Sequence, residues 1–278
     1  MKKSEYLEKL QSTEVEILDE IVRICEEYDL KYYLIGGTLL GAVRHKGFIP
    51  WDDDLDIVMP REDFDKFCEL CKNELSDDYY LHTINSDERY WLIHAKVRKN
   101  NTIFDEKPIS TLNDMHKGIY VDIFPLDDAK CIMSKKQKIR TISIKKISSL
   151  IYRKRRLNLK FRALVKVASF FLPFSIKRLT KWQHKLMTKS NGKGYEYYIN
   201  YGSNYKTEKQ TMLKSVYEPS CKLEFAGKLY NAPGKYEYFL ERIYGFDYMQ
   251  LPPEEKRVTH NPVRISFDIN EPDEVLED

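Results

Sequence analysis

Two spacings of apolar residues alternate along the chain, and the switches between them mark out its elements. From residue 4 to 28, Leu7, Leu10, Ile17, Leu18, Ile21, Ile24 and Cys25 recur at helical spacing, which predicts an amphipathic opening helix with one face toward a core. Tyr32-Tyr33-Leu34-Ile35 is a short β-prone run that stops at Gly36-Gly37, with Thr38 placed to cap a short helix reaching Arg44. A loop with Gly47 and Pro50 leads to a second strand, Leu55 to Met59, and Pro60 opens a helix ending near Leu75. Runs at 79–84, 91–98 and 118–124 read as further strands, and no internal repeat interrupts the series.

Composition narrows the class. With 42% hydrophobic and 13% aromatic residues but only 11 Gly and 11 Pro in 278, the chain can build a packed core, which excludes a largely disordered or collagen-like protein. Five cysteines, an odd number, argue against a disulfide framework, and no apolar stretch follows the first lysines as in a secretory signal. The expected location is cytoplasmic. Cys68 and Cys71 fall in the helical pattern FDKFCELCKNEL with no second Cys pair or His cluster, so they read as core residues rather than a metal knuckle.

The net charge of +3 hides an asymmetry: 20 of the 46 Lys and Arg lie between Ala129 and Tyr195, where there is no Asp or Glu. This segment reads as helical, and it divides the chain into a core at 1–128, a basic helical insertion at 129–195 and a Tyr-rich C-terminal part at 196–278. Within the insertion, LVKVASFFLPFSI at Leu164 to Ile176 falls short of the roughly 20 apolar residues a bilayer span needs. Flanked by Arg153 to Arg156 and by Lys177, Arg178 and Lys181, it is read as an interfacial helix on an anionic membrane surface. A solvated hairpin packed on the core is the competing reading. A nucleic-acid patch is disfavoured because no recognisable motif accompanies the charge.

Candidate chemistry gathers at three places. Asp54 and Asp56 are two apart on a predicted strand, so their side chains share a face; they are either a solvated acidic pair or a seat for a hard cation such as Mg²⁺ or Mn²⁺. Gly36-Gly37-Thr38 leaves a strand and enters a helix, where free N–H groups can receive a phosphate. Asp122, in the apolar run GIYVDIF, is either neutralised by a cation or a strand-edge residue reaching solvent. Arg44, Lys96, Arg98, Arg257 and His260 are candidate cationic partners for a phosphate, with Lys96 and Arg98 on one strand face.

GGTLLGAVRHKGFIPWDDDLDIVM, Gly36 to Met59, resembles the signature of the LicD family of phosphocholine transferases, related to the fukutin-type sugar-phosphate transferases. VDIFPLD at Val121 to Asp127 and YGFDYMQLPPEEKRVTHNP at Tyr244 to Pro262 extend the resemblance toward both ends of the chain. It implies an α+β fold: a nucleotidyltransferase-like mixed sheet with flanking helices. It also implies that Gly36, Gly37, Asp54, Asp56 and Asp122 bind metal and the phosphates of CDP-choline or a related CDP-alcohol, with Asp54, Asp56 and Asp122 catalytic. The implied acceptor is a glycan or lipid-linked glycan of the teichoic acid, lipopolysaccharide or capsule type. A choline head group calls for aromatic faces, and Tyr248 within YGFDYM is the candidate.

Overall fold

The computed structural model describes residues 3–87, 90–106, 115–132, 134–156, 175–257, 259 and 262–270. The opening helix α1 (Lys3–Glu27) buries Leu10, Ile17, Leu18, Ile21 and Ile24, the residues its periodicity singled out. Strand β1 (Tyr33–Leu34) leads into α2 (Gly36–His45), and β2 (Asp56–Pro60) into α3 (Arg61–Glu74). Strands β3 (Tyr79–His82), β4 (Ala95–Lys99), β5 (Ile103–Asp105) and the long β6 (Tyr120–Ala129) follow. The second half comprises α4 (Lys135–Arg156), α5 (Ile176–Met187), β7 (Tyr197–Asn200), β8 (Thr211–Leu213), α6 (Lys214–Tyr217), β9 (Cys221–Phe225), β10 (Lys228–Ala232), α7 (Tyr236–Tyr244) and β11 (Arg264–Ser266).

The result is a mixed α+β architecture around one seven-stranded mixed sheet. Its path runs β1-β2-β6-β4-β3, with β7 and β8 added beside the far half of β6. Strand β6 is long enough to serve twice: its first residues pair with β2 in parallel and with β4 antiparallel, and Leu126 to Ala129 pair with β7. The basic excursion leaves the sheet at Ala129 and returns at Tyr197, which are register partners. Helices α4 and α5 pack against each other over a small core of Ala129, Ile144, Met187, Ile199 and Tyr201. No described helix is long and apolar enough to cross a membrane.

Three local expectations are corrected. Thr38 does not cap α2; the helix already starts at Gly36, and the Thr38 hydroxyl accepts a hydrogen bond from the Asp56 N–H at 2.9 Å. A tertiary contact has taken the oxygen a cap would have used. The second strand begins at Asp56, so Asp54 lies in the loop before it. The strand expected at 91–98 begins only at Ala95. Most of the apolar run at 164–176, and His260, lie outside the described residues.

Candidate active site

The parallel pairing of β2 with β6 sets Asp56 opposite Asp122, and the antiparallel pairing of β6 with β4 sets Asp122 opposite Lys96. In-register neighbours share a face, so three charged side chains form one row across the centre of the sheet. Lys96 Nζ lies 2.7 and 2.9 Å from the two Asp122 oxygens and 3.2 Å from the centre of the Tyr120 ring. Burial alone would raise the Asp122 pKa, but Lys96 and His94 beside it hold the carboxyl well below the usual carboxylate range. Asp56 goes the other way: burial, Asp54 and Asp122 push its pKa well above the ordinary value.

The acidic loop is held from two sides. Gln11 of α1 donates from Nε2 to the Asp52 carbonyl at 2.9 Å. Glu14, one turn further along α1, is buried behind the loop, and its pKa is raised by burial and by Asp54, Asp53 and Asp52. On the other side the glycine pair makes room. A Cβ on Gly37 would come within 2.4 Å of Asp52 Oδ2, and one on Gly36, which has φ +58°, within 3.2 Å of Asp56 Oδ2. The space left by the missing side chains thus holds carboxylates, at the positive end of α2.

The glycine pair and Asp52, Asp54, Asp56 and Asp122 line a cleft of about 840 Å³, while Lys96, Gln11 and Glu14 stand behind its surface. Gly36, Gly37, Asp52, Asp54, Asp56, Asp122 and His94 form one wall, and Trp51, Tyr205, Tyr244 and Tyr248 give the rest an aromatic character. The Tyr205 and Tyr244 rings meet edge-on at 5.8 Å. Arg44 reaches across from α2 and donates to the carbonyls of Tyr248 and Gln250 at 3.0 and 3.1 Å, fixing the C-terminal wall to the glycine helix. Arg257 sits over the Trp51 ring, 4.6 Å from its centre, and donates to the Pro252 carbonyl.

Arg98 is not brought to the cleft. It is buried beneath Tyr120, with Nη1 donating to the Gly118 carbonyl at 2.6 Å and Nε to His82 at 2.9 Å. Asp53 is buried and does not line the cleft. Asp127 of the VDIFPLD run holds Arg61 in a two-pronged buried pair at 2.9 Å, so that motif also serves to fasten α3 to β6.

Sequence reasoning missed His94, whose Nε2 is 3.3 Å from Asp122 Oδ1 and whose ring lies 4.3 Å from that of Phe124. It also missed Asn200, a cleft residue whose buried Nδ2 has no hydrogen-bond partner among the described residues. His94 had a signal, since it shares the parity of Lys96. Asn200 had none.

Among the described residues no three Asp, Glu, His or Cys side chains are set to cage a metal by themselves. The donor set nonetheless suits Mg²⁺ or Mn²⁺: it is all carboxylate oxygen, and Mg²⁺ is commonly held by one or two carboxylates plus substrate phosphates. The crowding of carboxylates that raises the Asp56 pKa is the kind a cation relieves.

Residues 29–158 match the model of the LicD/FKTN/FKRP nucleotidyltransferase domain. The chain is 31% identical over 255 residues to the lipopolysaccharide cholinephosphotransferase LicD of Haemophilus influenzae, covering 88% of this chain and 92% of that protein. It is 30% identical over 115 residues to the human ribitol 5-phosphate transferase FKRP, covering 41% of this chain and 20% of FKRP. A 48-residue stretch is 46% identical to an uncharacterized protein of Rickettsia prowazekii, 17% of this chain and 18% of that one.

Proposed function

The chain belongs to the LicD/FKTN/FKRP family of transferases, and from that premise we propose that it moves phosphocholine from CDP-choline to a sugar hydroxyl of a cell-surface glycan precursor, with Mg²⁺ or Mn²⁺ as cofactor. The observation that carries this reading is one cleft that joins a carboxylate row to an aromatic wall. The row suits the diphosphate end of the donor. A quaternary ammonium offers no hydrogen-bond donor, so it is selected by aromatic faces and negative charge, and Tyr205, Tyr244 and Tyr248 supply faces beside the carboxylates.

A divalent cation bound by Asp54, Asp56 and Asp122 only together with the donor's phosphates would neutralise diphosphate charge and favour departure of CMP. Lys96 keeps Asp122 ionised and oriented for that task, so Asp122 is better suited to bind than to accept a proton. The glycine helix directs its positive end at the same region, and Arg44 keeps the aromatic wall in place. The acceptor oxygen then forms the new bond to phosphorus as the bond to CMP breaks, and catalysis is mostly positioning and charge stabilisation.

The test is steady-state CMP release from CDP-choline, CDP-ribitol and CDP-glycerol, with Mg²⁺ and with chelator. CDP-choline should be used best, and only with the metal. Tyr248→Ala should raise the KM for CDP-choline more than it lowers kcat, because the head group is remote from the breaking bond. Preference for a polyol donor would place the chain with ribitol phosphate transfer, and undiminished release under chelation would remove the cation.

A further inference from the structure

The main core and the small core beneath the basic helices leave a seam between them, occupied by a cavity of about 910 Å³ between α3, β3, residues 83–86 and 92–95, and α5. Leu75 and Leu81 line it from the main core, Ile93 and Met187 from the small one. Leu75, Leu81, Ile84 and Ile93 are all half-buried, so apolar surface faces open space. Asn85, Thr180 and His184 add polar groups at its edge. Its cations are already engaged, Arg61 by Asp127 and Asp65 and Lys72 by Glu69, which disfavours a diphosphate here.

The seam and the cleft share two lining residues. Leu92 and His94 line both spaces, and His94 stands 3.3 Å from Asp122. The His94 side chain is 9% exposed, and neither ring nitrogen has a hydrogen-bond partner of proper geometry among the described residues. A buried imidazole left in that state, at the junction of an apolar cavity and a carboxylate cleft, is positioned to meet a hydroxyl arriving from the cavity side.

We propose that this cavity is the acceptor subsite, and that it takes a neutral sugar carrying an apolar group, the head of a glycolipid, with one hydroxyl delivered past His94 into the cleft. The proposal rests on the transferase reading of that cleft. In the reaction it serves, the sugar oxygen bonds to the phosphorus of the donor's alcohol phosphate, the phosphorus–oxygen bond to CMP breaks, CMP leaves, and the hydroxyl proton passes to solvent. Ligand sites at the junction of two packed units, largely apolar with a few polar groups, are the common pattern.

The experiment is calorimetric titration of the full chain with n-octyl β-D-galactoside below its micelle concentration. Saturable binding is expected, with free galactose at least tenfold weaker. Thr180→Trp and Ile84→Trp, which fill the cavity from opposite sides, should each weaken binding by tenfold or more with unchanged circular dichroism. Leu229→Ser, an exposed site that lines neither space, should bind as the wild type does. No saturable binding, or equal affinity in whichever filling variant folds, would overturn the proposal. No nucleotide donor enters the titration, so a wrong donor assignment would leave its result standing, while failed binding would leave donor-dependent CMP release untouched.

Discussion

Replacing Lys96 by Met removes the charge that holds Asp122 and leaves a side chain of similar length beside Tyr120. The Lys96 side chain is 5% exposed and that of Asp122 13%, with Nζ within 2.9 Å of both carboxylate oxygens, so this is a buried pair. Removing one member of such a pair destabilises by about 3–5 kcal/mol, because the other is left buried and uncompensated. For a chain of this size each kcal/mol lowers Tm by roughly 2–4 °C, so a drop on the order of 10 °C is expected. Asp122→Asn in the Lys96→Met background removes the orphaned charge. The double variant should therefore be less destabilised than the sum of the singles, by about 0.5–3 kcal/mol of coupling. The pH dependence has a definite sign. The folded Asp122 pKa is depressed, so its contribution is fully present above the unfolded value of about 4 and is lost as pH falls through the lower folded value. The gap between wild type and Lys96→Met should close over that acid window. Denaturant unfolding at pH 7 and in acid measures all of this, and CMP release should be lost in both singles and in the double. A loss below about 1 kcal/mol, or strictly additive singles, would refute the argument that Lys96 and Asp122 act as a buried ion pair.

Asp56 carries the opposite sign: its raised folded pKa means that stability falls as pH rises from about 4 toward the folded value, so Asp56→Asn should be more stable than wild type at neutral pH while turnover drops by orders of magnitude. Thermal unfolding against pH, with and without Mg²⁺, checks it. Gly41→Ala should destabilise by about 1–3 kcal/mol, since its Cβ would come within 2.3 Å of the Gly47 carbonyl oxygen, which only backbone movement can relieve; urea unfolding measures this. On α4 and α5, Ile139, Ile142, Leu150 and Trp182 are exposed in a segment without an acidic residue, so phosphatidylglycerol vesicles should bind the protein, phosphatidylcholine vesicles should not, and binding should weaken with salt and in Ile139→Ser. Equal sedimentation with both lipids would discount the charge.

How far the site could be read from the sequence depended on whether its parts are local. Strand periodicity exposed Asp56 and Asp122, because an acid within a run whose neighbours are all core residues has few places to go: Leu55, Ile57, Val121 and Ile123 are each fully buried. That the two carboxylates are in-register neighbours was not legible, since the paired residues of β2 and β6 are 66 positions apart and their pairing is set by packing. Parity could have led from Lys96 to His94, yet the same parity also pointed to Arg98, which is buried against Tyr120 and bonded to His82 of β3 instead of lining the cleft. Thr38 shows the limit in the other direction. Its type and position favoured a local cap, and a backbone N–H 18 residues away claimed the hydroxyl. Asn200, Tyr205 and Tyr244 join the cleft only through the return of the chain after the basic helices, a tertiary event that no local spacing encodes.

The electrostatics of the cleft link the donor to the cofactor in the proposed reaction. Asp52, Asp54, Asp56 and Asp122 all line it, with Glu14 buried behind. Among the described residues its one lining Lys or Arg, Arg44, is committed to the carbonyls of Tyr248 and Gln250, and Lys96, buried behind Asp122, is committed to that carboxylate. The positive end of α2 adds only about half an elementary charge. A diphosphate entering that field meets repulsion, and Asp56 already resists ionisation without one. The crowding is therefore consistent with a site completed from outside, by a divalent cation that reaches the carboxylates together with the diphosphate. The same negative field favours a cationic head group along the aromatic wall, and it gives a choline donor an advantage that a neutral polyol would lack.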